Sequence, residues 1–306
     1  MKLAIGVDIG GTKTKLGLIN NQGEIDNTYI FPTSYLKPHK LKDDLINNIA
    51  KLIDNCNQEI AGIGIASAGR INFNEKKVVY ATDNLKDWAE IPIVKIIEKE
   101  FKLPVYIDND VNAALNCELQ LNKPAVNQTI IFLTIGTGLG GALAHNNQIL
   151  RGQTGSTGEF GHMILYPDGK DCNCGKKGCA EQYISGTAYK ERLRKSLKNK
   201  DIYRGEEDLK TEIIKNYIIE KNEPYYSVFQ NMISDLVYLL ESLKNCVDYD
   251  VCIIGGGFSI YKDIILKKIN EEFKKYNHKY SVKPEFIISR KGNNAGFIGA
   301  GLMVFE

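Results

Sequence analysis

One stretch near the start of the chain is written twice. Asp8-Ile9-Gly10-Gly11-Thr12-Lys13-Thr14-Lys15-Leu16-Gly17-Leu18-Ile19-Asn20-Asn21 can be laid without a gap over Thr134-Ile135-Gly136-Thr137-Gly138-Leu139-Gly140-Gly141-Ala142-Leu143-Ala144-His145-Asn146-Asn147. Each copy reads as an apolar strand, a glycine turn, a second strand and an asparagine turn. Two such hairpins in two halves predict a duplicated α/β architecture with a cleft between the copies, and interdomain clefts are favoured ligand sites.

The intervening pattern fits that architecture. Leu41, Leu45, Ile49 and Leu52 repeat at helical spacing and predict a helix over 40–55. Further helices are expected over 92–101, 111–121, 187–196, 206–220, 225–245, 260–275 and 294–304. Strands are expected at 27–31, 60–66, 105–108, 129–135, 142–144, 251–254 and 286–289.

Adjacent glycines bring backbone N–H groups close to a ligand, and a concave run of N–H groups binds phosphate oxygens. Asp8-Ile9-Gly10-Gly11-Thr12-Lys13 therefore reads either as an ordinary turn or as a phosphate cradle. In the second reading Thr12 and Lys13 add a hydroxyl and a charge, and Asp8 at the strand end holds Mg²⁺ or its waters. Residues 136–141 match the glycine spacing of a dinucleotide-binding fold. Residues 142–147 read as a short strand and turn rather than the helix that fold requires, so a second phosphate hairpin is expected, with Thr137 and Gly138 at its tip. No Gly-x-x-x-x-Gly-Lys-Ser/Thr occurs, which excludes a P-loop. Gly255-Gly256-Gly257 comes after an apolar strand and precedes a helix. It is either a tight connection or a place where backbone approaches a planar or phosphorylated ligand.

Asp108-Asn109-Asp110 ends a strand, where carboxylates of α/β proteins point into the ligand crevice. Phosphoryl transfer to an alcohol needs one residue to accept the hydroxyl proton. Asp110 at a helix start suits that role. Pattern alone does not choose between it and Asp108, and Asn109 or Asp110 can equally be a helix cap.

The sharpest signal is His162-x9-Cys172-x-Cys174-x4-Cys179. Three thiolates and an imidazole make a four-ligand set for a closed, structural Zn²⁺ site, and Gly169, Gly175 and Gly178 let the loop wrap a metal. Glu159 and Glu181 flank the loop. They are either solvated charges or acceptors for sugar hydroxyls, aimed by a zinc-held His162.

Composition sets outer limits. Hydrophobic residues make up 43% and charged residues 25%, ordinary values for a chain with a packed core. The net charge of +2, spread without blocks, excludes an electrostatic nucleic-acid binder. No stretch approaches the ~18 apolar residues of a membrane span, and the opening residues show no signal-peptide pattern, so a cytoplasmic address and no membrane partner are expected.

With these motifs in place, nearly the whole chain resembles the ROK family of sugar kinases. Residues 8–12 look like that family's first phosphate motif, 136–141 like its second and 255–257 like its adenosine motif. Residues 158–185, with Glu159, His162, the three cysteines and Glu181, are similar to its diagnostic signature. The resemblance implies an actin/hexokinase-like (ribonuclease H-like) fold of two α/β domains with an interdomain cleft, and a homodimer. The expected division is 1–116, then 117–291 with the zinc loop and adenosine motif, and a helix in 292–306 packing back on the first domain.

It also implies an ATP- and Mg²⁺-dependent hexose kinase with Asp110 as general base. Gly69, Arg70, Asn84, Asn109, Glu159, His162 and Glu181 would lie at the sugar. Asp8, Gly10, Gly11, Thr12, Lys13, Thr137, Gly138, Gly255, Gly256 and Gly257 would hold the nucleotide and its metal. The chain opens directly on a strand, so the DNA-binding module of the family's repressors is not expected. Residues 66–72 lack the Pro-Gly-Pro-like turn of many family glucokinases, and Gly69-Arg70 resembles N-acetylmannosamine kinases. Glucose phosphorylated at O6 leads. N-acylhexosamine, fructose and β-glucoside acceptors come next, and a non-catalytic sugar sensor is the alternative from another class.

Overall fold

The computed structural model describes residues 2–33, 37–81, 85, 87–276 and 282–306. In chain order its elements are β1 (Leu3–Ile9), β2 (Lys13–Ile19), β3 (Ile25–Pro32), α1 (Pro38–Asp54), β4 (Ile60–Ser67), β5 (Arg70–Asn72), β6 (Lys77–Tyr80), α2 (Ile93–Phe101), β7 (Val105–Asn109) and α3 (Asp110–Asn122). The chain continues with β8 (Thr129–Ile135), β9 (Leu139–His145), β10 (Gln148–Ile149), α4 (Glu181–Ile184), α5 (Gly186–Asn199), α6 (Thr211–Ile219), α7 (Tyr225–Val247), β11 (Val251–Gly255), α8 (Lys262–Phe273), β12 (Glu285–Ile288) and α9 (Ala295–Leu302). No helix among the described residues is long and apolar enough to cross a membrane.

The chain divides into two compact units. Unit 1 comprises Met1–Asn127, Ala142–Thr157 and Asn293–Glu306; unit 2 comprises Gln128–Gly141 and Gly158–Gly292. The boundary expected at residue 116 falls inside α3. A hydrogen-bonded helix is one rod, α3 is buried on all sides over Asn112–Leu119, and the whole of it lies in unit 1.

Unit 1 is a mixed sheet of order β3-β2-β1-β4-β7. β1, β2 and β3 are antiparallel, while β1, β4 and β7 run parallel. The periodic residues of α1 (Leu41, Leu45, Ile49 and Leu52) are buried in one apolar cluster with Ile5, Val7, Ile63 and Ile65 of the sheet. α9 packs on β1, β4 and α3. Its close approach depends on missing side chains: a Cβ on Gly64 would lie 1.7 Å from Ala300 O, and one on Gly299 would lie 1.7 Å from Ala113 O. β5 and β6 form a small ribbon that the residue pattern did not announce.

Unit 2 holds β8, β11 and β12 as parallel neighbours in that order, with α4 to α8. β9 starts in this unit and ends in unit 1, where β10 pairs with its last residues. The single helix expected over 206–220 is broken. Asp208, 1% exposed, accepts from Arg204 N and from its guanidinium at 2.6–2.9 Å, which locks a separate turn at Glu206–Leu209 before α6 begins.

Candidate active site

In unit 1 the glycine turn joins β1 to β2. Gly10 N donates to Lys13 O at 3.2 Å, and Thr33 fastens the turn through N to Thr12 O (2.9 Å) and Oγ1 to Gly10 O (2.8 Å). Thr12 and Lys13 are exposed. Asp8 lies near the end of β1. Burial first, then the neighbouring charge of Asp110, push its carboxyl up to about 7, while Lys15 opposes the rise. Two neighbouring carboxylates, Asp8 and Asp110, supply oxygen donors of the kind Mg²⁺ takes.

The two candidate bases separate in chemistry. Asp108 is 1% exposed and saturated: it accepts from Asn109 N (2.7 Å), Asn112 Nδ2 (3.0 Å) and both Nε and Nη2 of Arg151 (2.8 Å each). The Arg151 guanidinium also stacks 3.7 Å from the Phe73 ring centroid. Asp108 is therefore a structural anchor. Asp110 is the first residue of α3, is half-buried, and faces the Asp8 charge.

Asn109 does two things. Its Oδ1 caps α3 by accepting from Val111 N (2.9 Å) and Asn112 N (3.3 Å), and its Nδ2 donates to Gly69 O at 2.9 Å. The cap thus ties the Gly69-Arg70 loop to the helix that carries Asp110. Arg70 lies 5.7 Å from the Tyr80 ring centroid, and its buried Nε has no hydrogen-bond partner among the described residues. Asn84 lies outside the described residues.

In unit 2 the second glycine turn joins β8 to β9, so a strand and not a helix comes after it. Gly136 N donates to Gly138 O at 3.0 Å. The turn is buttressed from outside. Leu139 N donates to Glu181 Oε2 at 2.9 Å, and Thr187 Oγ1 donates to Thr137 O at 2.8 Å. A Cβ on Gly138 would lie 2.5 Å from the same Glu181 oxygen, so glycine is needed for that contact. Gly256, at φ +79°, lies against the end of β8, where a Cβ would meet Ile135 O at 2.6 Å. The glycine triplet is therefore next to the hairpin in space.

His162, Cys172, Cys174 and Cys179 converge, with one ligand atom from each lying within 4.8 Å of all the others. Cys172 Sγ is 3.7 Å from His162 Nδ1, and Cys174 Sγ is 3.5 Å from Cys179 Sγ. A tetrahedron with Zn–S bonds of about 2.3 Å has edges of about 3.8 Å, so the donor set fits Zn²⁺. Burial and then the adjacent Cys174 and Cys172 thiols push the Cys179 thiol up. With Nδ1 turned to the cysteines, His162 Nε2 points toward Glu159 Oε2 at 4.0 Å.

Sequence reasoning missed three parts of this arrangement: the Arg151 clamp on Asp108, the Thr187 buttress, and the bond from Glu181 to the hairpin. Nothing local in the sequence marks the first two. Glu181 was singled out, but for sugar rather than for Leu139.

Comparison with known proteins points one way. The model of the ROK family matches residues 4–306. A glucokinase of Streptomyces coelicolor is 32% identical, over 100% of this chain and 98% of that protein. A xylose repressor of Caldicellulosiruptor bescii is 30% identical, over 87% of this chain and 69% of that one. The crystal structure of a ROK family glucokinase from Streptomyces griseus, in complex with glucose and AMPPNP, superposes with a TM-score of 0.84 at 27% identity, covering 98% of each chain.

Proposed function

The chain belongs to the ROK family and is a sugar kinase that phosphorylates a hexose with ATP; within that activity we propose that the acceptor is glucose, the position O6, and the general base Asp110. The observation that carries the choice of base is the contrast between the two carboxylates. Asp108 has every acceptor position committed, and Asp110 stands at a helix start beside Asp8.

In the reaction the acceptor oxygen attacks the γ-phosphorus, the bond to the bridging oxygen of ADP breaks, and the hydroxyl proton passes to an Asp110 carboxylate oxygen. Asn109, Glu159, His162 and Glu181 orient the hexose by hydrogen bonds to its hydroxyls, and Gly69 lines it. The N–H groups at Gly11 and Thr12, with Lys13, and those at Thr137 and Gly138 take phosphate oxygens, while Gly10 closes the first turn through its bond to Lys13 O. Gly255, Gly256 and Gly257 take the adenosine. Asp8 would hold Mg²⁺, which when bound neutralises phosphate charge. The Cys₃His set would hold a structural Zn²⁺ that fixes the loop bearing His162 and leads into Glu181. The reading also carries a homodimer working in the cytoplasm.

One observation favours a second acceptor class. Arg70 Nε has no hydrogen-bond partner among the described residues, and an acyl carbonyl of an N-acylhexosamine supplies an acceptor for it. The test is ADP release with ATP and Mg²⁺ across glucose, mannose, fructose, N-acetylglucosamine and N-acetylmannosamine. Glucose is expected to give the highest kcat/KM. Highest turnover with an N-acyl sugar moves the assignment to that class, and no sugar-dependent release would sink the catalytic reading in favour of a sugar sensor.

A further inference from the structure

Lys15 has no part in the reaction as drawn, yet its surroundings are built. β1 and β2 pair so that Lys15 lies directly opposite Asp8. Directly opposed residues of an antiparallel pair project on the same face, with Cβ atoms about 4.5–5.5 Å apart. The Lys15 ammonium donates to Asn294 Oδ1 at 2.5 Å and lies 4.4 Å from the Phe297 ring centroid. Both partners come from the C-terminal part of unit 1, Phe297 in α9 and Asn294 immediately before it.

The same segment touches Asp8. A Cβ on Gly296 would lie 2.8 Å from Asp8 Oδ2, so only glycine lets α9 start there. Residues 294–297 therefore brace both the cation and the carboxylate. A lysine side chain loses rotamer freedom when fixed, and the Asn294 bond and the Phe297 ring offset that loss here.

The repeat supplies a control. Lys15 aligns with Gly141 in the second copy, where a Cβ would meet Phe160 Cδ2 at 2.3 Å and Gly158 O at 2.4 Å. The second hairpin has no room for a side chain at this position, and it has no carboxylate where the first has Asp8. The cation occurs only in the hairpin with the carboxylate.

We propose that Lys15 is a positioning residue for phosphoryl transfer: clamped by Asn294 and Phe297, its ammonium holds the Asp8 carboxylate in place against the repulsion of Asp110 and so sets where the metal-bound phosphates lie. The inference rests on the kinase reading above.

The test compares the parent with Lys15→Met, Lys15→Arg and Asn294→Ala. It uses steady-state kinetics in both substrates, calorimetric titration with Mg²⁺ and AMPPNP, and separate titration with hexose. Lys15→Met is expected to lower kcat about tenfold or more and to weaken AMPPNP binding, with hexose affinity within about twofold of the parent. Lys15→Arg is expected to restore most of kcat, and Asn294→Ala to shift both quantities in the same direction by less. A folded Lys15→Met variant with kcat and AMPPNP affinity equal to the parent overturns the proposal. So does an arginine variant as impaired as the methionine one, since that outcome marks packing rather than charge. If Lys15→Met fails to fold, parent-like kinetics and nucleotide binding in folded Asn294→Ala overturn it. A parent without hexose-dependent ADP release breaks the kinase reading instead, and the AMPPNP titrations then still decide for or against Lys15.

Discussion

The two glycine hairpins share a backbone device and differ in everything attached to it. Laid over one another, the first has Asp8, Lys13 and Lys15 where the second has Thr134, Leu139 and Gly141. All charge has been confined to one copy. The first turn is fastened by a neutral partner, Thr33, and carries its own chemistry. The second carries none and is fastened by side chains from elsewhere, Glu181 of α4 and Thr187 of α5. On the proposed reading both turns cradle phosphate, which needs only N–H groups at the right curvature, so duplication supplies two at once. A metal site needs carboxylates, and a second charged cradle would compete for the metal. The comparison predicts that disturbing charge in unit 1 costs more than disturbing shape in unit 2.

The sharpest way to break that prediction is Asp110→Asn. The substitution keeps size and removes the proton acceptor, and general-base catalysis contributes about 10²–10⁴-fold. We expect kcat to fall by that factor, with the fold and hexose affinity kept, because Asn109 and not Asp110 caps α3 against Asn112 and holds Gly69. The measurement is ADP release at saturating substrates beside a hexose titration. A variant with near-normal kcat removes the charged hairpin's neighbourhood from the chemistry and leaves the comparison without its functional half.

Cys172→Ser comes next in size and acts on the second copy. If the set holds zinc as proposed, losing one of its four ligands should release the metal, and metal content by emission spectroscopy reads this directly. Cys179 leads through Ala180 into Glu181, whose carboxylate anchors Leu139 of the hairpin. Loosening the loop should therefore raise the hexose KM about tenfold or more, equivalent to ~1.4 kcal/mol, and raise the ATP KM by a smaller factor. Zinc-free protein with parental values for both would show that the loop does not aim Glu181.

Much of this was legible before any coordinates. The duplicated motif gave both glycine-turn hairpins, the helical spacing of Leu41, Leu45, Ile49 and Leu52 gave α1, and ligand chemistry joined His162 to the three cysteines across nine intervening residues. The parts that stayed hidden depend on long-range contact. Asp108 and Asp110 are equivalent as text, and burial of Asp108 with its bonds from Asn112 and the distant Arg151 separates them. The β5–β6 ribbon is too short for a periodic signal, and the break before α6 arises from Asp208 turning back on Arg204. Lys15 alternates onto the same face as Asp8, which a strand reading contains, but its meaning comes from Asn294 at the far end of the chain.

The smallest expected effect is also the finest probe of the comparison. Thr187 Oγ1 donates to Thr137 O, a neutral bond from an exposed residue that fixes the tip of the uncharged hairpin, which is proposed to cradle phosphate. Thr187→Val keeps the branched shape and removes the donor. A neutral hydrogen bond of this kind contributes ~1 kcal/mol net, so the ATP KM should rise about fivefold. The cradle serves ground state and transition state alike, so kcat should stay near the parent value. Hexose affinity should not move, because Glu181 keeps its bond to Leu139. A fall in kcat without a change in ATP KM would mean that the second hairpin acts on the transition state itself. The division of labour between a charged copy and a shaped copy would then have to be redrawn.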